Sequence, residues 1–112
     1  MITAEKIITI VSDYFHVPEE VILSKCSREA IVAPRHVSIY LIYHNTDLSF
    51  ARIGTLFNYK DHSGVTYACK QVNRSRKYYS EYRDMLEMFE DEIKSLNVER
   101  NFEVFQESDF YK

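Results

Sequence analysis

The stretch from Asp47 to Lys77 reads DLSFARIGTLFNYKDHSGVTYACKQVNRSRK, and it predicts two helices joined by a tight turn. Ser49 is a good N-cap, and the apolar residues after it recur at the i, i+3, i+4, i+7 spacing of one helical face. Asn58 tolerates the left-handed backbone that a turn needs, and Asp61 stands where an N-cap begins the next helix. The two apolar stripes are Phe50, Ile53, Leu56 and Phe57, then Val65, Ala68, Cys69 and Val72. This pattern is typical of a helix-turn-helix.

The second predicted helix carries a polar face opposite its apolar stripe. At about 100 degrees per residue, one sector of about 90 degrees collects three positive charges and no negative one. Its members are Ser63, Tyr67, Lys70, Arg74 and Lys77. The first turn leaves backbone N–H groups free to attract a phosphate, and Gly64 adds no side chain there. His62 and Thr66 stand where a recognition helix reads base edges, so the face predicts contact with duplex DNA. The alternative is an ordinary solvated helix face.

From Ile2 to about Leu96 the chain resembles the C-terminal DNA-binding domain of the bacterial replication initiator DnaA. The likeness is carried by ITAEKII at 2–8, IVAPRHVSIYL at 31–41, DLSFARIG at 47–54 and LFNYKDHSGVTYACKQV at 56–72. In the last segment the family has a Phe, two Gly, Arg-Asp-His-Thr-Thr-Val and a His-Ala pair, and the spacing here is the same. Asn58 and Tyr59 replace the paired glycines, and Gly64 replaces a threonine. The resemblance implies an all-α, Trp-repressor-like domain that binds origin-box DNA, here as a stand-alone chain.

The resemblance also implies particular DNA contacts. It gives base-reading or phosphate roles to the residues that begin the second helix, and it matches Arg35 to an arginine that contacts DNA. Arg28 lies in the loop from which the family sends an arginine into the minor groove, although this loop, CSREA at 26–30, keeps one positive charge and adds a carboxylate. The predicted DNA-binding residues are Arg28, Arg35, Lys60, Asp61, His62, Ser63, Thr66, Lys70 and Arg74. Among them Lys60, Lys70 and Arg74 are expected at phosphates.

The composition predicts one compact all-α domain followed by a tail. A chain of 112 residues supports one core and not two, and two glycines with two prolines favour a bundle of about six helices over a sheet. We place the helix-turn-helix domain at 1–97 and an acidic, aromatic tail at 98–112. Expected helix starts are Thr3, Pro18, Pro34 and Ser80, with a loop at 25–30 before the buried central helix.

Charge is distributed unevenly along the chain, although the net value is only −3. Residues 25–77 hold nine lysines and arginines against three acids, for a net charge of +6. Residues 80–112 hold four lysines and arginines against ten acids, for a net charge of −6. The basic part suits a DNA backbone. One interpretation of the acidic part is that it lies near the basic face and weakens non-specific DNA binding; the other is that its acids only solvate the last helix.

Enzymatic and cofactor-dependent functions are not indicated. Gly54 and Gly64 cannot supply a phosphate-binding G-x-x-x-x-G-K loop, so we expect no nucleotide and no ATPase activity. The four histidines have neither the i, i+4 pairing nor the adjacent cysteines of a zinc site, so no metal or other cofactor is expected. Cys26 and Cys69 are far apart in sequence, which fits a reduced cytoplasmic setting, and no apolar run of about 18 residues predicts a membrane span.

A second functional hypothesis stays open at this point. The fold can serve as a non-enzymatic protein-interaction or regulatory module that has lost DNA affinity, which the depleted loop at 26–30 supports. The contact would then use 80–112, whose stripe Tyr82, Met85, Leu86, Phe89, Ile93 and Leu96 can pack on its own domain, on a partner protein or on a second copy.

Overall fold

The computed structural model describes the backbone of residues 1–110 and the side chains of residues 1–97. Within that part of the chain there are six helices and no strand, which confirms the all-α prediction. They are α1 (Ala4–Phe15), α2 (Glu19–Ile22), α3 (Glu29–Asn45), α4 (Phe50–Leu56), α5 (Ser63–Tyr78) and α6 (Ser80–Phe110).

Local sequence determines where most of these helices begin. The Thr3 hydroxyl accepts a hydrogen bond from the Lys6 N–H at 3.2 Å and caps α1, and Ser49 caps α4 in the same way. The chain leaves α4 through Asn58, whose φ of 62° is the left-handed conformation expected of it. α6 begins at Ser80, as predicted.

The predicted start of the central helix was wrong. α3 begins at Glu29, so Pro34 lies inside the helix and the loop ends at Arg28 rather than at Ala30. The first turn is already closed before the proline, because the N–H groups of Ile31 and Val32 both donate to the Arg28 carbonyl at 2.9 Å. Pro34 removes only the bond to the Ala30 carbonyl. Ala30 is exposed, so solvent can replace the missing donor.

α3 runs through the middle of the bundle, in contact with α1, α2, α4, α5 and α6. Residues 37–42 are all buried, as the lack of a single apolar stripe predicted, and the end of the helix is more open, with Tyr43 40% exposed and His44 also exposed. Arg76 on α5 donates from Nη1 to the Tyr40 hydroxyl at 3.3 Å and joins α5 to α3. The largest fully buried side chains are Ile7, Val11, Ile22, Val37, Ile39, Leu41, Ile42, Ile53, Phe57, Leu86, Phe89 and Ile93.

The apolar stripe of α6 packs on its own domain within the described residues. Leu86, Phe89 and Ile93 belong to the core, and Tyr14 of α1 meets the Phe89 ring edge-on with centroids 5.0 Å apart. The predicted boundary after residue 97 falls within α6. The side chains of the proposed tail at 98–112 lie outside the described residues, so that division stays a prediction.

No described helix combines the length and the apolar character required to cross a membrane.

Candidate nucleic-acid interface

The turn between α4 and α5 is built from backbone contacts. The Tyr59 N–H donates to the Gly54 carbonyl at 2.8 Å, which folds the chain back on α4 directly after Asn58. A Cβ atom on Gly54 would stand 3.2 Å from the Asp61 carbonyl oxygen, so glycine lets the turn lie close to α4. Phe57 and Val65 are fully buried on either side of the turn. These contacts fix how α5 projects from the bundle.

The side chain of Asp61 stabilises the start of α5. One carboxylate oxygen accepts hydrogen bonds from the Ser63 N–H at 2.8 Å and from the Ser63 hydroxyl at 2.5 Å. These bonds, first the one from the hydroxyl and then the one from the N–H, hold the pKa of Asp61 below its usual value. The sequence placed the cap at Asp61; the helix itself begins two residues later, at Ser63.

The predicted polar face of α5 is exposed along its whole length. Val65, Ala68, Cys69 and Val72 are buried on one side, and Ser63, Tyr67, Lys70, Arg74 and Lys77 are exposed on the other. Tyr67 is 58% exposed. Lys60 and His62 are exposed in the turn that leads into the same helix end. The structure therefore brings seven of the nine predicted residues, 60 to 63, 66, 70 and 74, onto one helix and its preceding turn.

The remaining two predicted residues lie on the N-terminal half of α3. Arg28 is exposed at the N-cap position of α3. Arg35 is only 5% exposed, and its Nε donates to the Ile22 carbonyl at the end of α2 at 2.8 Å. Its Nη2 atom is buried and has no hydrogen-bond partner among the described residues. Arg35 thus joins α2 to α3, and its Nη2 group is left without an acceptor.

Aromatic side chains connect the interface to the bundle. His36 of α3 meets Tyr67 of α5 edge-on, with ring centroids 5.8 Å apart. Burial, aided by the neighbouring charge of Arg35, lowers the pKa of His36, so its ring is held in the neutral form. The His62 ring lies nearly parallel to Phe50 with centroids 6.3 Å apart. Thr66 is half-buried and donates from its hydroxyl to the His62 carbonyl at 3.2 Å.

One residue at this end of α5 was not among the predicted contacts. The half-buried Tyr59 ring lies directly against Gly64, and a Cβ there would meet it at 2.7 Å. Sequence reasoning noted Tyr59 only as a replaced glycine. An aromatic residue two positions before Asp61, with a glycine inside the first turn of α5, was the available signal.

Other classes of site do not coincide with this face. Among residues 1–97, no three His, Cys, Asp or Glu side chains come together as a metal site would require. A cleft of about 690 Å³ opens between the start of α1 and α4, where Ile2, Leu48 and Leu56 line it. None of its lining residues belongs to α5.

Comparison with known proteins places this arrangement in a family. The model described as the bacterial dnaA protein helix-turn-helix matches residues 4–72, which include α1 to α4 and the first ten residues of α5. The chain belongs to the DnaA helix-turn-helix family. The DnaA family match contains all the predicted DNA-binding residues except Arg74.

Individual relatives agree with the family match. The chain is 40% identical to the chromosomal replication initiator protein DnaA of Synechocystis sp. over 70 residues, 62% of this chain and 16% of that protein. It is 33% identical to the same initiator of Bacteroides fragilis over 97 residues, 87% of this chain and 20% of that protein. It is 38% identical to the initiator of Acholeplasma laidlawii over 73 residues, 65% of this chain and 16% of that protein. The chain thus matches about a fifth or less of these DnaA relatives.

Proposed function

We propose that this chain binds double-stranded DNA by placing the first turn of α5 in the major groove, as a non-enzymatic module that uses no nucleotide and no metal. The observation that carries the proposal is the exposed face of α5, where Lys70, Arg74 and Lys77 lie opposite the buried stripe with no acid among them. Membership of the DnaA family supports it, because the relatives are replication initiators. The role would be exercised in the cytoplasm, where a bacterial chromosome lies.

Each part of the face has a distinct role in the proposed complex. Lys60, Lys70 and Arg74 contact phosphates and position the helix, since cationic side chains on backbone oxygens carry no sequence information. His62, Ser63 and Thr66 face base edges. Asp61 has a second carboxylate oxygen beyond the one bonded to Ser63, and it can accept from the cytosine amino group.

The two arginines of α3 have a smaller part in the proposal. Arg28 is free to reach the DNA backbone or minor groove from the start of α3. Arg35 has a structural role behind the interface, because its Nε donates to the Ile22 carbonyl and little of the residue is exposed. Its unpartnered Nη2 gains an acceptor if a phosphate displaces the groups that cover it.

Binding to labelled duplexes, an initiator-box sequence beside a scrambled one, tests the proposal across a range of salt concentrations. We expect affinity to fall with salt at a log–log slope of about −0.9 per phosphate contacted. His62→Asn should reduce the preference for the box. The matched control is His16→Asn, an exposed histidine at the end of α1 whose left-handed φ of 57° asparagine accepts.

Failure of every duplex to bind at low salt would overturn the proposal. The hypothesis of a protein-interaction module would then take its place, and a search for partners of the 80–112 segment would follow.

A further inference from the structure

The Tyr59 ring occupies the space that a side chain at residue 64 would need. A Cβ atom built on Gly64 would stand 2.7 Å from Cδ2, 2.8 Å from Cε2 and 3.0 Å from Cγ of Tyr59. Carbon atoms in contact prefer separations of about 3.5–4.0 Å, so no side chain fits at 64 while the ring holds this position. Gly64 does not have a positive φ. The glycine is therefore needed for the close approach of the ring and not for an unusual backbone.

The turn that carries the ring is held by backbone contacts, and the Tyr59 side chain packs against the edge of the hydrophobic core. Tyr59 follows Asn58, which has the left-handed conformation, and its own N–H donates to the Gly54 carbonyl at 2.8 Å. The side chain is half-buried, and the ring lies at the same end of α5 as the exposed side chains of His62 and Ser63. A duplex that meets the first turn of α5 therefore meets the Tyr59 ring where a side chain of residue 64 would otherwise stand.

The chemistry of this side chain suits the reading of a base edge. Burial raises the pKa of the Tyr59 phenol, against an opposing effect of the nearby Arg35 charge, so the hydroxyl is protonated at neutral pH. A protonated hydroxyl donates to acceptors such as guanine O6 and N7 or thymine O4 in the major groove. The ring edge offers apolar contact to a thymine methyl group.

On the basis of the proposed function, we infer that Tyr59 is a specificity-determining DNA contact. Its ring packs against Gly64 and presents its hydroxyl and its edge to a base pair next to those that His62 and Ser63 face. Gly64 is the positioning residue of this pair. The base preference at one position of the bound site is thus set by a residue of the turn and not by residue 64 of the helix.

Selection from a library of randomised duplexes, followed by sequencing, tests the inference with the full chain. In Tyr59→Phe, which keeps the ring, we expect the preference at one base-pair position to fall by roughly threefold to tenfold, near the lower end of the range for a bidentate contact. In Tyr59→Ala the preference at that position should be lost. Gly64→Ala displaces the ring and should change the same position, and it should have no further effect in the Tyr59→Ala background.

The control is Tyr78→Phe, whose side chain is 67% exposed at the far end of α5, about 20 Å along the helix from Gly64. It should select the same sequences as the unsubstituted chain. Thermal unfolding of each variant identifies any that fails to fold, and Tyr59→Phe keeps the test valid if Tyr59→Ala does.

Two negative results have different meanings. If the unsubstituted chain enriches a sequence and Tyr59→Phe and Gly64→Ala enrich the same one at every position, the role of Tyr59 is overturned while the proposed function stands. If the unsubstituted chain retains no duplex at low salt, the proposed function and this inference are both overturned.

Discussion

Ser63 donates two hydrogen bonds to a single carboxylate oxygen of Asp61, one from its N–H at 2.8 Å and one from its hydroxyl at 2.5 Å. The pair closes the turn of the helix-turn-helix and begins α5 at the place where the proposed function puts a base pair. In the proposed complex, one side chain therefore serves both as a structural cap and as a DNA contact.

Asp61→Ala should lower the urea midpoint of unfolding at neutral pH, because it removes the acceptor that holds the start of α5. The lowered pKa of Asp61 means that the folded chain favours the carboxylate, so this contribution is complete above the ordinary value of 3.8 and is lost as pH falls below it. Denaturation of wild type and variant at several pH values measures the difference. Asp13→Ala, an exposed site on α1, is the control; a difference that persists at pH values well below 3.8 would contradict the assignment.

Ile53→Val should cost about 0.5–1.5 kcal/mol of the free energy of unfolding, as expected when one methylene is removed from a packed core. Ile53 lies on α4 and is fully buried. Ile31→Val makes the same chemical change at a half-buried site near the start of α3 and should cost less. Equal losses in the two variants would show that the α4 face is less tightly packed than the structure indicates.

Removing His36 and His44 should flatten the dependence of stability on pH between pH 5 and about 7. Burial lowers the pKa of both side chains, so below the ordinary value of 6.5 the unfolded chain binds protons before the folded one does. Stability therefore rises with pH toward 6.5 and levels off above it. His36→Gln and His44→Gln should each remove part of this slope, and the double variant should remove more than either. An unchanged slope in the double variant would count against the lowered pKa values of these two side chains.

Arg74→Ala should reduce the magnitude of the log–log salt slope of DNA binding by about 0.9, the value of one phosphate contact. Base preference should stay the same, because a phosphate contact carries no sequence information. The matched control is Arg83→Ala on α6, where the arginine lies 3.9 Å from Asp84 and its side chain is 54% exposed. If both variants change the slope equally, the effect is one of overall charge and not of the α5 face.

Neutralising acids beyond residue 97 should tighten non-specific DNA binding if that segment lies near the basic face. The double variant Glu103→Gln/Glu107→Gln keeps the chain length and raises the net charge by two. Glu5→Gln/Glu20→Gln makes the same change on α1 and α2, where both side chains are exposed. A larger gain in affinity for a scrambled duplex in the first double variant supports the interpretation that the acidic segment lies near the basic face. Equal gains would show that these acids only solvate the helix.

Sequence patterns located the elements of this fold because the information for them is local. Thr3 and Ser49 each accept a hydrogen bond from the N–H group three residues later, so these caps could be predicted from a few residues. The start of α3 was predicted wrongly at Pro34. The sequence does not distinguish a proline at a helix start from one a turn later, and only the hydrogen bonds to the Arg28 carbonyl show that the helix begins earlier. The burial of Arg35 against Ile22 depends on how α2 packs on α3, which the sequence does not display.

The candidate site was predictable to a similar extent. Periodicity alone separated the exposed face of α5 from its buried stripe, since both lie on one regular helix. The contact between Tyr59 and Gly64 was not predicted, because it arises only when the left-handed Asn58 and the hydrogen bond to Gly54 turn the ring back onto α5.

The close approach of Gly54 to the Asp61 carbonyl has a consequence for how such a module can diversify. The angle between α4 and α5 rests on main-chain packing and on side chains that face inward. The outward side chains of α5 can then be exchanged through mutation with little penalty to folding. Under the proposed function, single substitutions on this surface give access to new target sequences, and a lineage can change the DNA it recognises while the bundle stays the same.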